Sequence, residues 1–296
     1  MKNFKYFILF LSLITIFEIT NSEDANAVTA CATNVGSEIV YATTPTTGCI
    51  AVGATTQYEI TVKEIHLCTT APLAPTTSTP TDLSNCESIL TNSSATATSF
   101  AAGEDVNLPG TFKRPSNGTY SHAYVKFDNK FGITASMTFD VAKRGTNTTA
   151  TGQTCGTLAG AAAHAAASTH SRSVCASSLT PGKLIEETQQ MGAPGTYAQC
   201  AKDGTVSIAS GGSCPSLGSA NAYLVRESDS KLSQATGSGQ DFHGILSFTS
   251  TQKVTPDTTA FVVRFDVTNG VAVARAMSDT AVHIGMGPFD MSITIQ

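Results

Sequence analysis

The residues with the clearest chemistry in this sequence are its cysteines. The chain has 296 residues and eight cysteines, and none of them belongs to a Cys-x-x-Cys motif or to a cluster with histidine at zinc spacing. This pattern argues against a metal site and favours disulfide bonds. Our working assumption is that neighbours pair, as 31–49, 68–86, 155–175 and 200–214, although the sequence leaves other pairings open. The positions are Cys31, Cys49, Cys68, Cys86, Cys155, Cys175, Cys200 and Cys214.

Residues suited to catalysis are present but are not arranged in a known motif. The chain has no Gly-x-Ser-x-Gly elbow, no His-Glu-x-x-His and no phosphate-binding loop. His164 and His170 are six residues apart, which would place them on different faces of a helix, and His66 and His122 lie in predicted strands. A triad assembled from distant residues stays open. We therefore predict no catalytic residue, no metal site and no cofactor, and we expect the protein not to be an enzyme.

The N-terminus has the pattern of a secretory signal peptide. Lys2 and Lys5 precede an apolar run, Tyr6–Phe17, which is shorter than the roughly 20 residues of a membrane-spanning helix. Ala25-Asn26-Ala27 matches a cleavage site, so residues 1–27 are the predicted signal peptide. We expect a secreted or cell-surface protein with no transmembrane span in its mature chain. An even number of cysteines, all after the cleavage site, agrees with export.

The composition suggests which partners the protein has. Charged residues make up 13% of the chain, where about 25% is usual, and the net charge is −5. A negative charge argues against nucleic acids and anionic membranes as partners. A surface rich in Ala, Thr and Ser loses little side-chain entropy when it is covered. Copies of the same chain or other surface proteins are therefore the expected partners.

One stretch, Tyr58–Cys68, predicts the framework of the fold. Tyr58, Ile60 and Val62 alternate on one strand face, but Ile65 and Leu67 fall on the other. This change of phase predicts either a bulge near Lys63-Glu64 or a strand that leaves one sheet for a second. The Thr/Pro-rich segment that follows, Thr69–Asn85, is a predicted loop.

Further strand patterns predict a mainly β protein. Thr119–Phe127 with Phe131–Val141, and Phe261–Thr268 with Val271–Ala276 around Asn269-Gly270, are predicted hairpins. We predict one antiparallel β-sandwich over residues 28–296, stapled by disulfides. A loop-rich insertion at about 146–220 would carry either a marginal surface helix or an ordered loop at Ala159–Ala167, and one short amphipathic helical turn at Lys183–Met191. The alternative is a pair of duplicated β modules, 28–145 and 146–296.

These features predict a secreted or cell-surface structural protein, such as a subunit of an extracellular filament, a pilus-like appendage or a coat. Such subunits can assemble by β-strand addition. The candidate donor strand is Asp290–Gln296, although its apolar face could equally complete its own sheet. The alternatives are a secreted carbohydrate- or ligand-binding adhesive module, with a glycan as partner, and a secreted hydrolase. The apolar residues of the candidate donor strand are Phe289, Met291, Ile293 and Ile295.

Overall fold

The protein is built from strands that belong to four sheets. A computed structural model describes residues 29–30, 34–35, 38–39, 49–53, 55–101, 104, 106–146, 150–162, 172–187, 197–202, 205–210, 220–233, 239–267, 270–275, 281–286 and 289–296. The predicted signal peptide lies outside these residues. Within them the strands are β1 (Thr29–Ala30), β2 (Asn34–Val35), β3 (Glu38–Ile39), β4 (Cys49–Gly53), β5 (Gln57–Ile60), β6 (Val62–Cys68), β7 (Cys86–Thr91), β8 (Thr98–Phe100), β9 (Thr111–Phe112), β10 (Gly118–Asp128), β11 (Lys130–Thr134), β12 (Ser136–Gly145), β13 (Thr151–Thr157), β14 (Gly160–Ala162), β15 (Ser173–Ala176), β16 (Leu184–Glu187), β17 (Tyr197–Lys202), β18 (Thr205–Ser210), β19 (Ala220–Arg226), β20 (Gln240–Val254), β21 (Phe261–Asp266), β22 (Val271–Arg275), β23 (Ala281–Met286) and β24 (Asp290–Ile295).

The pairing is mostly antiparallel, and the described residues contain no helix, so the prediction of a mainly β protein is confirmed. A nine-stranded sheet runs β1-β4-β22-β23-β12-β13-β15, with β2 and β3 joined beside β12. An eight-stranded sheet runs β18-β17-β19-β20-β10-β6-β7-β9. A five-stranded sheet runs β14-β16-β11-β5-β8, and β21 pairs with β24 in a two-stranded sheet.

The chain crosses between sheets where the apolar pattern of Tyr58–Cys68 changes phase. Strand β5 belongs to the five-stranded sheet and β6 to the eight-stranded sheet, with only Thr61 between them. The register of β6 against β10 then skips Lys63, which is a bulge in β6. Both features predicted from the change of phase are present, and the crossing lies two residues before the predicted point.

The first predicted hairpin is wrong, although its strands exist. Strand β10 pairs with β6 and β20, while β11 pairs with β5 and β16 in the five-stranded sheet. Strand β12 then enters the nine-stranded sheet. Single residues, Asn129 and Ala135, separate these three strands, and both are buried. One residue is too short for a hairpin turn, so each strand continues into the next sheet.

The second predicted hairpin is also wrong. Strand β21 pairs with β24, and β22 pairs with β23 and β4. The Asn269-Gly270 signal therefore marks a change of sheet rather than a two-residue hairpin. Gly270 is tightly enclosed, since an added Cβ would lie 2.9 Å from the Tyr58 ring.

The region 146–220 contributes strands to three of the four sheets. Strands β13 and β15 extend the nine-stranded sheet, β14 and β16 the five-stranded sheet, and β17, β18 and β19 the eight-stranded sheet. The helix predicted over Lys183–Met191 is wrong where the structure describes it, because β16 occupies Leu184–Glu187. The helix predicted over Ala159–Ala167 is contradicted at Gly160–Ala162, and its remainder lies outside the described residues. Pairing with β11 and β14 outweighs the local helix propensity here.

A core of aromatic rings joins the sheets. Phe289 is 1% exposed, and its ring lies 5.6 Å from that of Tyr58 and 5.9 Å from that of Phe265, centroid to centroid. Edge-on contacts of this kind add to the energy of apolar burial. A smaller core lies around Tyr124 and Ile245 and includes Leu232.

Two of the four predicted disulfides lie in the described residues. Cys68 is bonded to Cys86 and Cys155 to Cys175, which are two of the pairs that neighbour pairing predicts. The first disulfide joins β6 to β7, and the second joins β13 to β15. The predicted pairs 31–49 and 200–214 involve side chains outside the described residues.

Candidate functional site

A buried carboxylate, Asp241, is the centre of a charged cluster on the eight-stranded sheet. Its side chain is 0% exposed, and Oδ1 accepts a 2.6 Å hydrogen bond from Lys63 Nζ. Lys126 Nζ lies 3.1 Å from Oδ2 as an ion pair without an aligned hydrogen bond. The three residues come from β6, β10 and β20, which are adjacent strands. The bulge at Lys63 lies where this lysine approaches the carboxylate of Asp241.

Two further carboxylates oppose the lysines. Glu227 Oε1 accepts a 3.0 Å hydrogen bond from Lys63 Nζ, and Glu64 Oε1 lies 3.8 Å from Lys126 Nζ. Burial disfavours the charge on Lys63, but its hydrogen bonds to Asp241 and Glu227 outweigh that cost and raise its pKa. A hydrogen bond with His66 lowers the pKa of Glu64, with Lys126 acting in the same direction. Every lysine in the cluster therefore has at least one carboxylate beside it.

A neutral histidine lies next to this cluster. His243 Nδ1 is 3.0 Å from the hydroxyl of Tyr124 and 3.3 Å from that of Thr81. Burial and the nearby Lys126 lower the pKa of His243 to about 3. Burial also raises the pKa of Tyr124. His243 is therefore uncharged at neutral pH and bonded to uncharged hydroxyls.

The predicted loop Thr69–Asn85 lies next to this cluster. The disulfide Cys68–Cys86 joins its two ends, and the Thr69 amide donates a 3.0 Å hydrogen bond to the Asn85 carbonyl. The amide of Leu232 donates to the carbonyl of Thr76, which ties the loop to the turn after β19. Through Thr81 the loop contacts His243 and covers this part of the cluster, whereas Glu227 at its other side stays 58% exposed.

No motif in the sequence predicts this cluster directly. Its members recur at alternate positions of single strands, as in Glu64/His66, Tyr124/Lys126 and Asp241/His243. That alternation is a usable signal, because alternate residues share a face. Only the pairing of β6, β10 and β20 shows that these three strand faces lie side by side. His66, which the sequence places in a predicted strand, lies in β6 and is partly buried, with Nε2 3.0 Å from Glu64 Oε2.

The second histidine of the predicted strands lies in the middle of β10. His122 is half-buried, with its Nδ1 2.7 Å from the Ser121 hydroxyl, which also donates to the Thr69 carbonyl. Burial lowers the pKa of His122. Among the described residues, no three His, Cys, Asp or Glu side chains are grouped closely enough to hold a metal.

A second candidate site is a groove with a mixed polar and apolar lining, at a place where three sheets end. Strands β8, β9 and β21 are end strands of the five-, eight- and two-stranded sheets, and each lines this groove of roughly 270 Å³. Phe100 of β8 stacks on Phe265 of β21 with ring centroids 5.4 Å apart. Phe112 of β9 is 54% exposed, which is unusual for a ring of this size. The wall opposite β21 includes Val106 and Leu108.

The groove runs along an edge of β21. Five consecutive residues of this strand, Phe261–Phe265, line it. On its other side β21 pairs along its whole length with β24. Within the described residues no second strand pairs with β21. An edge strand beside an apolar surface is suited to receiving another strand, because it offers backbone hydrogen bonds and pockets for alternate side chains.

The candidate donor strand completes its own sheet. Strand β24 pairs with β21 of the same chain from Asp290 to Ile295. This segment therefore completes its own sheet, which is the alternative to strand donation named in the sequence analysis. Phe289, Met291 and Ile293 are buried in the main core, and Ile295 packs against it.

Comparison with known proteins gives no relative: no family model, no curated protein and no solved structure matches the chain. The described residues also contain no helix of the length and hydropathy needed to span a membrane.

Proposed function

We propose that the protein is an exported structural subunit that assembles with other copies through its sheet edges. One observation carries this proposal: three end strands, β8, β9 and β21, meet at a single groove whose lining includes the exposed ring of Phe112. Edge strands of soluble proteins are normally short, charged or covered, because an open edge promotes association. Strands β8 and β9 are short, with three and two residues, so the six-residue β21 is the edge long enough to accept another strand. The groove is therefore best explained as an assembly surface.

Two other features support the proposal. The two disulfides indicate an oxidising compartment outside the cytoplasm. Asp241 at the centre of the charged cluster is buried, and its charge is opposed by two lysines within the fold, which suits a structural role better than catalysis. In this proposal the nine- and eight-stranded sheets are the layers of a β-sandwich, since the main core takes Met137 and Val273 from one and Val125 and Leu67 from the other.

Electron microscopy and light scattering of the purified mature protein test the proposal. We expect concentration-dependent association, seen as dimers, fibres or layers. The variant Phe112→Ser should weaken association and leave the unfolding curve nearly unchanged, because the ring is more than half exposed. The matched control is Leu73→Ser. Among the described residues, Leu73 is the other large apolar side chain that is exposed (68%), and it lies on the loop next to the charged cluster, away from the groove lining.

The proposal fails if the protein remains monomeric at every concentration tested and the producing cells carry no ordered surface structure. It also fails if Leu73→Ser and Phe112→Ser reduce association equally, since the groove would then have no special role.

A further inference from the structure

The contact between Lys63 and Asp241 brings together the two groups that form an amide bond by losing water. Lys63 Nζ lies 2.6 Å from Asp241 Oδ1, the Asp241 side chain has no solvent contact, and the Lys63 side chain is 14% exposed. Groups held in such proximity react as if at very high concentration. Burial also favours a product without the two charges, because an ion pair is costly to keep away from water.

Two neighbouring groups suit this condensation. Lys126 Nζ lies 3.1 Å from Asp241 Oδ2, which accepts no hydrogen bond from the described residues. Its positive charge can stabilise the negative charge that develops on this oxygen when a nucleophile attacks the carboxyl carbon. Glu227 Oε1 accepts a 3.0 Å hydrogen bond from Lys63 Nζ, so it is placed to take a proton from that nitrogen. A nucleophile, a proton acceptor and a cation thus surround one carboxyl group.

We propose that Lys63 and Asp241 condense into an intramolecular isopeptide bond after the chain has folded. The ion pair described above is the state from which the bond forms. Lys63 Nζ attacks Asp241 Cγ, a C–N bond forms, and the bond from Cγ to Oδ1 breaks. One proton of the Lys63 ammonium group stays on the amide nitrogen, and the other two leave with Oδ1 as water, one of them by way of Glu227. The step is a loss of water and involves no oxidation or reduction.

The ion pair of Lys183 with Glu59 is the contrasting case. Lys183 Nζ donates to both carboxylate oxygens of Glu59 at 3.1 Å, but the lysine side chain is 47% exposed and the glutamate side chain 22%. Water stabilises both charges of such a pair, so condensation gains little. Lys183 and Glu59 are therefore expected to stay ionic, and they serve as an internal control.

The bond would link strands β6 and β20, which flank β10 on its two sides. Lys63 and Asp241 are 178 positions apart in the sequence. The three strands would then be held together by a covalent link that a reducing agent does not break. The bond lies within one copy of the chain, so the inference does not depend on the proposed assembly.

Mass spectrometry of the purified mature protein, folded and then reduced and denatured, tests the bond. The mass should be lower than that of the linear chain by one water. Proteolytic digestion should release a branched peptide that contains Lys63 and Asp241, while the peptides with Lys183 and Glu59 should be unlinked. The cross-linked chain should also migrate faster than the unlinked chain on a reducing, denaturing gel.

Two variants separate this bond from other losses of water. Lys63→Arg keeps a positive charge beside Asp241 but has no primary amine, so it should retain the circular dichroism spectrum of the folded protein and show the full linear mass. Glu227→Gln should slow bond formation by about tenfold or more, because the proton acceptor is removed. The unlinked fraction of freshly folded protein, followed over time, measures this rate.

Three results would overturn the inference. The first is a folded wild-type protein with the full linear mass. The second is a loss of water that persists in Lys63→Arg, since a succinimide or another link would then be responsible. The third is an unchanged rate in Glu227→Gln, which contradicts the proton transfer. Each of these results would leave the proposed assembly standing, because association is measured separately.

Discussion

At the scale of single residues, the cluster around Asp241 shows how a buried charge is tolerated. A carboxylate without solvent contact is costly unless it is paired and hydrogen-bonded. Asp241 has the ammonium groups of Lys63 and Lys126 within 2.6 and 3.1 Å. The sequence shows only isolated charges in apolar strands, because the three residues are far apart along the chain. Their proximity follows from strand order, which no local pattern encodes.

Replacing Lys63 should test how much the fold depends on this pairing. We expect Lys63→Met to lower the free energy of unfolding by about 3 kcal/mol, because a buried carboxylate loses its shortest partner. Urea denaturation gives the value. The matched control is Glu227→Gln. Glu227 Oε1 lies 3.0 Å from the same ammonium group of Lys63, but its side chain is 58% exposed. The control should cost less than about 1 kcal/mol. Equal losses of unfolding free energy in both variants would contradict the role of Lys63 as the main partner of the buried Asp241 carboxylate.

At the scale of elements, the loop Thr69–Asn85 is held closed by its disulfide. The sequence predicted both the loop and the pairing of Cys68 with Cys86, because proline and threonine exclude regular structure and the cysteines bracket the segment. It did not predict that the loop covers a polar cluster. That role depends on β10 lying between β6 and β20, whereas the sequence pattern predicts that β10 forms a hairpin with the next strand.

Removing this disulfide should open the loop. The double variant Cys68→Ala/Cys86→Ala is expected to lose about 3 kcal/mol of stability and to become cleavable by protease between residues 69 and 85. Limited proteolysis with mass spectrometry identifies the cut. The matched control is Cys155→Ala/Cys175→Ala, whose disulfide closes a similar span, 20 residues against 18. The control should lose similar stability without cleavage in this loop. Cleavage of both variants at the same rate would refute the role of the first disulfide.

At the scale of the whole molecule, the strands were largely predictable and their partners were not. Alternating apolar residues identify β10, β11, β12 and β24, since burial on one face imposes a period of two. That alternation continues through Ala135 from β11 to β12, so a change of sheet leaves no mark in it. Only at Thr61 and Lys63, where the phase shifts, did the sequence reveal a crossing. The groove at β21 was missed because it depends on where three sheets end.

The stability of the whole protein should fall in mild acid. His243 has a pKa of about 3 in the folded protein and 6.5 as an ordinary value, so only the unfolded chain takes up its proton between these pH values. The free energy of unfolding should drop by up to about 1.4 kcal/mol per pH unit below pH 6.5. The pKa of Glu64 is lowered in the folded protein, so protonating this residue costs further stability below its ordinary pKa of 4.5. Burial raises the pKa of Asp128, so its protonation offsets part of that loss in the same pH range.

Urea denaturation between pH 7 and 5 isolates the contribution of His243, because the carboxylates stay largely ionised over that range. The variant His243→Gln should remove most of the slope. His122→Gln is the matched control and should remove less, since His122 is only half-buried. An unchanged slope in His243→Gln would show that another group causes the acid sensitivity.

The single-residue crossings at Thr61, Asn129 and Ala135 also determine when this chain can fold. Strand β10 is flanked by β6 and by β20, and β20 begins at Gln240. The central sheet therefore cannot close until most of the chain has been synthesised. Three sheets share this chain through one-residue links, so none can finish alone. If the chain is exported as we propose, the eight-stranded sheet can close only after strand β20 has crossed the membrane.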